Sequence, residues 1–144
     1  MVSAGRAFVD TNVLVYAHDA SETVRQPIAR QVLEQLWGDG TGTLSTQVLQ
    51  EFYAAATGKL VVPLHPAEAR EIVDLYSAWP IVVITPSLIL NASRLHERGG
   101  IAFWDALIVE AARLAGADRL LTEDLQHGQL LGGVRIENPF LTGD

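Results

Sequence analysis

Four carboxylates in this sequence sit where a carboxylate is costly. Asp10 closes the apolar run RAFV, Glu51 lies inside VLQEFYAAA, Asp105 interrupts IAFWDALIV, and Asp124 follows LLTE. Burying an ionised carboxylate without a partner costs several kcal/mol. A chain that does this four times, mostly at the ends of elements, is expected to gather the four around a cation. Hard oxygen donors with no cysteine point to Mg2+ or Mn2+ rather than zinc. The four histidines, at 18, 65, 96 and 127, show no HxH or HExxH spacing. A cation site of this kind binds a phosphate oxygen, lowers the pKa of a water and stabilises charge on phosphorus and on the leaving oxygen.

Each acid taken alone has an ordinary reading. Asp10 would cap a helix after the strand, Glu51 would pair with an arginine, Asp105 would favour a helix N-terminus, and Asp124 would belong to a turn. The supporting polar candidates are Asn12, Ser45 and Thr122, each with a local alternative: an Asx turn, a helix cap and a strand end. Glu123 reads as solvated. His127 reads as a structural loop histidine, and Trp37, Tyr53, Trp79, Phe103, Trp104 and Phe140 as packing.

The elements that must position these residues are short and alternate in type. Apolar runs at 6–9, 43–44, 81–84, 119–121 and 134–136 read as strands. Helical periodicity covers 22–37, 47–57, 67–78, 87–97 and 103–115, and a short helix or turn is expected at 11–19. Pro27 places the start of the 22–37 helix near itself, and GDGTG at 38–42 reads as a loop. Strands alternating with helices predict an α/β fold, a three-layer sandwich with a short, mainly parallel central sheet. In such sheets ligands collect at the carboxyl ends of strands, where Asp10 and Asp124 fall.

Composition sets the outer limits. A chain of 144 residues suits a single domain, 1–144, without staples. Apolar residues at 49% against 19% charged exclude general disorder. The absence of cysteine excludes a disulfide framework, a thiol nucleophile and an iron–sulfur cluster, and fits a reducing cytoplasm. No apolar run is long enough to span a membrane, and MVSAGRAFVD lacks the pattern of a signal peptide. The net charge of −7 is unusual for a nucleic-acid binder, unless bound cations supply positive charge.

At these same residues the sequence resembles the PIN-domain ribonucleases, and within them the VapC-type toxins of toxin–antitoxin pairs. The matching blocks are FVDTNVLVYAHD (8–19), LSTQVLQEFY (44–53), IAFWDALIVEAA (101–112), LLTEDLQHG (120–128) and GVRIENPF (133–140), in the family's order. The resemblance implies a PIN-like fold, with metal ligands at Asp10, Glu51, Asp105 and Asp124. It assigns supporting roles to Asn12, Thr122 and Ser45. It implies Mg2+- or Mn2+-dependent cleavage of RNA, a homodimer, and a cognate antitoxin whose tail occupies the acidic groove. One departure is His127, where relatives often carry Asp. Helices 67–78 and 87–97 are candidates for the dimer surface, and Arg6, Arg25, Arg94 or Arg98 for steering the RNA backbone.

Two alternatives stay open at this point. Asp10 followed by Thr also resembles the nucleophile position of haloacid-dehalogenase-type phosphatases. That chemistry usually needs a lysine, and Lys59, the one lysine, sits near a helix end. The acids could instead form an acidic docking groove in a non-catalytic binding module.

Overall fold

The computed structural model describes residues 5–141. Twelve elements follow the expected alternation: β1 (Ala7–Val9), α1 (Thr11–Ala17), α2 (Arg25–Asp39), β2 (Gly42–Ser45), α3 (Thr46–Gly58), α4 (Pro66–Tyr76), β3 (Ile81–Val82), α5 (Pro86–Gly99), α6 (Phe103–Leu114), β4 (Arg119–Leu121), β5 (Leu130–Leu131) and β6 (Val134–Glu137). The sheet order is β3-β2-β1-β4-β6-β5, parallel throughout except for the β5–β6 hairpin.

Strand order explains the layers. From β1 the chain winds outward to β2 and β3, then returns past β1 to β4. Right-handed crossovers put α1–α4 on one face and α5–α6 on the other. Packing agrees: α1 meets α2 and α3, α3 meets α4, and α5 lies along α6. β1, covered on both faces, is wholly buried at Ala7, Phe8 and Val9, which is why RAFV reads as a continuous apolar run.

The departures from expectation are local and have identifiable causes. α2 begins two residues before Pro27, whose missing N–H costs nothing in a first turn. It runs through Gly38 to Asp39, and Gly40 ends it in the left-handed conformation (φ 69°), so the expected loop starts later. β3 keeps only the first two residues of IVVI, because the Ile84 amide donates to Thr46 Oγ1 instead of to a neighbouring strand. The unexpected element is β5, paired to β6 through Gly132–Gly133. Both glycines have positive φ, as a tight hairpin turn demands.

Candidate active site

The turn out of β1 builds the first part of the site. Asp10 takes an extended conformation and caps α1: its Oδ1 accepts from the Thr11 amide at 2.7 Å. Its Oδ2 accepts from Thr122 Oγ1 at 2.8 Å. Thr122 follows β4, the strand beside β1, so this bond joins the two sides of the sheet's switch point. The Thr122 hydroxyl also accepts from Asn12 Nδ2 at 3.2 Å and from the Asp124 amide at 3.1 Å. Asn12 Nδ2 in turn donates to Asp124 Oδ2 at 3.1 Å. Asp10, Asn12, Thr122 and Asp124 thus form one network.

α3 brings the next carboxylate. Glu51 Oε1 accepts from Thr11 Oγ1 at 2.8 Å, and Oε2 accepts from Gln47 Nε2, one turn earlier, at 3.3 Å. Asp105 lies in the first turn of α6. The cap of α3 is Ser45, whose Oγ accepts from the Val48 amide at 3.3 Å. Its buried hydroxyl therefore serves the helix.

The electrostatics tie the four acids together. Burial pushes Asp10 up from 3.8 to about 7, against the opposing pull of its two hydrogen bonds; the charges of Asp124 and Glu51 add to the rise. Burial also raises Asp105, and again Asp124 and Glu51 contribute. The expectation of four buried acids needs correction. Asp10 is buried, at 5% exposure, Glu51 and Asp105 are half-buried, and Asp124 is exposed. Only at Asp10 does desolvation act in full; Glu51 and Asp124 line a groove open to solvent, while Asp105 lies outside that lining and is linked to them through its electrostatics.

That groove, about 400 Å³, is lined by Thr11, Asn12, Tyr16, Glu51, Lys59 and Asp124 among others. Among the described residues, no three acidic or histidine side chains are close enough to form a ready-made metal cage. The donor chemistry nevertheless fits a hard cation. Four carboxylates share one field, burial and the neighbouring acids raise Asp10 to about 7, and two carbonyl oxygens at the site, Asn12 Oδ1 and Gln47 Oε1, are buried without a partner.

Several neighbours escaped the sequence reading. Thr11 and Gln47 both orient Glu51; their signals were adjacency to Asp10 and the i−4 position before Glu51. Glu123 is not simply solvated: it accepts from the Tyr16 hydroxyl and, at 3.3 Å, from Arg25 Nε, and the Arg25 guanidinium stacks 5.3 Å from the Tyr16 ring. Trp104, expected in the core, is 64% exposed next to Asp105. His127 is structural, its Nδ1 accepting from the Asn138 amide at 3.0 Å.

The sequence model of the PIN domain family matches residues 7–130. This chain belongs to the PIN domain family. Nucleases of that family generally use divalent metal ions. No curated protein sequence matches this chain. Among solved structures, a chain of the toxin–antitoxin complex from Klebsiella pneumoniae superposes with a TM-score of 0.68 at 20% identity, over 92% of this chain and 97% of that one. VapC20 from Mycobacterium tuberculosis, a sarcin–ricin loop cleaving toxin, superposes at 0.63 and 21%, over 79% and 86%. VapBC2 from Rickettsia felis, bound to a DNA fragment from its promoter, superposes at 0.62 and 22%, over 92% and 97%. At these identities the likeness is one of fold, and it extends over most of this PIN domain. No helix among the described residues is long and apolar enough to cross a membrane.

Proposed function

We propose that this PIN domain is an endoribonuclease that hydrolyses RNA phosphodiester bonds, and that it acts in the cytoplasm as the toxin of a toxin–antitoxin pair. Asp10, Glu51, Asp105 and Asp124 hold Mg2+ or Mn2+. The observation that carries this reading is Asp10: a buried carboxylate pinned by two donors at the switch point and raised to about 7 by burial and by two neighbouring acids. Such a group gains most from a cation. Its two pinned, buried oxygens also suit it poorly to attack phosphorus, which counts against the phosphatase alternative.

A bound divalent ion supplies Lewis acidity, stabilising charge on the phosphate and lowering the pKa of water. The protein's own contribution is orientation. Thr122 and the Thr11 amide fix Asp10, Asn12 fixes Asp124, and Thr11 with Gln47 fixes Glu51. Restraint of this kind avoids ordering these groups during reaction. Lys59 places one positive charge on the same groove, where it attracts a substrate phosphate. Hydrolysis in this mode leaves a 5′-phosphate and a 3′-hydroxyl.

The antitoxin partner follows the same electrostatics. An arginine of the antitoxin entering the groove offsets the repulsion among these carboxylates and blocks RNA. The active form is a homodimer. The test uses metal-stripped protein free of antitoxin, with total bacterial RNA in Mg2+, Mn2+ or EDTA, and Asp10→Ala as control. Discrete fragments that require metal and vanish in the variant are expected. Cleavage that persists in EDTA refutes the reading.

A further inference from the structure

The far end of α6 carries a second charged feature. Arg94, Arg98 and Arg113, three of the chain's ten basic residues, line one groove of about 270 Å³ between α5, α6 and the β5–β6 turn, together with Asn91, Glu110 and Gly132. Glu110 is the one acid in that lining. In a chain of net charge −7, three exposed guanidiniums around one groove make a local positive patch that attracts an anion.

Two of the three guanidiniums are also held in place. Glu110, only 8% exposed, accepts from Arg113 Nε at 2.7 Å, so the two terminal nitrogens of Arg113 remain available. Asn91 Oδ1 accepts from Arg94 Nη1 at 2.9 Å. Among the described residues Arg98 has no ion-pair partner. Planar guanidinium forks match phosphate oxygens geometrically, and oriented ones lose less entropy on binding. Leu95 and Val109 are the apolar side chains of the lining, and the three guanidiniums beside them complement the charge of a phosphate backbone.

We propose that this groove binds the phosphate backbone of RNA away from the cut. The inference rests on the nuclease reading for its ligand. Asp105 and Arg113 are eight residues apart on one helix, roughly 12 Å along its axis. The turns between them, residues 106–112, are buried, so the path over the surface is longer than this, and a strand advancing about 3.4 Å per nucleotide needs at least about four nucleotides to join the two sites. The groove would thus hold the substrate on positive charge while the cut occurs among the acids.

The test is a salt series of anisotropy titrations in Mg2+ with labelled oligouridylate, run alongside cleavage of total RNA. The double variant Arg94→Gln/Arg98→Gln is compared with Arg70→Gln/Arg135→Gln, which removes the same charge elsewhere. Arg113 is left intact so that Glu110 keeps its partner. Loss of two phosphate contacts should lower the slope of log K against log salt by about 1.4 and weaken binding by about an order of magnitude at 0.1 M salt. The control pair should change neither, and both should melt as wild type. Equal effects in the two pairs, no effect in either, or no oligouridylate binding by wild type would overturn the inference. So would a groove variant that turns a dimer into a monomer, since a second copy would then fill the groove. Cleavage of total RNA with an unchanged slope defeats the groove alone; arginine-dependent binding without cleavage defeats the nuclease reading and leaves the groove.

Discussion

Asp10→Asn should stabilise this protein when metal is absent and pH is high. The folded-state pKa of about 7 lies above the ordinary 3.8. Well below pH 3.8 the group is protonated in both folded and unfolded chains, and folding incurs no penalty. As pH rises toward 7 the unfolded chain ionises while the folded one resists. Above pH 7 the folded state carries the whole difference, about 4 kcal/mol at 1.36 kcal/mol per pH unit.

An asparagine removes that penalty but disturbs one hydrogen bond. Its carbonyl oxygen keeps the Thr11 amide, whereas its NH2 faces a Thr122 hydroxyl that already accepts from Asn12 and from the Asp124 amide. The displaced hydroxyl proton needs a new acceptor, at a cost of about 1–3 kcal/mol. The variant should therefore be more stable than wild type by about 1–3 kcal/mol at pH 8 in EDTA, and no more stable at pH 4. Denaturant unfolding at fixed protein concentration measures both. Mg2+ at a thousandfold excess over Kd should reverse the order at pH 8, because ligand held by the folded wild type stabilises it by about 4.1 kcal/mol. A variant destabilised equally at pH 4 and pH 8 in EDTA would show that Asp10 is already satisfied without a cation, which would refute the electrostatic case for the site.

Three other substitutions separate the site from its scaffold. Thr122→Val removes a donor from Asp10 and an acceptor from Asn12 and the Asp124 amide, and should cost about 2 kcal/mol in unfolding free energy and about 10- to 100-fold in kcat. Ser45→Ala should cost about 1 kcal/mol in the same unfolding assay while kcat and KM hold within about twofold, since its hydroxyl caps α3; a tenfold loss of kcat would return Ser45 to the site. Gly42→Ala places a Cβ 2.5 Å from the Trp79 ring, which is packed edge-on against Tyr76 and Trp37, and should lower stability by about 2–3 kcal/mol with a matching change in near-ultraviolet dichroism.

The candidate site stands out in the sequence because its chemistry conflicts with its surroundings. A carboxylate at the end of AFV or inside IAFWDALIV departs from the local apolar pattern, and the departure needs no coordinates to be noticed. The sheet's parallel core was legible for the same reason: strands covered on both faces are apolar without interruption. What escaped was set by partners distant in sequence. Leu130–Leu131 becomes a strand only because β6 lies beside it, and IVVI loses half its ladder to a threonine 38 residues away. Residue type alone sends Trp104 to the core, yet α6 buries its opposite side and leaves the ring exposed to solvent.

The same contrast explains how an acidic chain can handle an anionic substrate. Asp10 and Asp124 follow the strands beside the switch point, Glu51 and Asp105 reach the same field from α3 and α6, and Asp10 and Glu51 are each held by two hydrogen bonds. The arginines of the second groove lie on exposed helix faces, where their charge costs little to keep. A site that repels phosphate without its cation, set about 12 Å along one helix from a groove that attracts phosphate with or without it, separates holding from cutting. Binding to the arginines should then survive metal removal while cleavage does not. That dissociation is the signature expected if the two grooves serve one substrate, and a single site supplying both affinity and chemistry would lose them together.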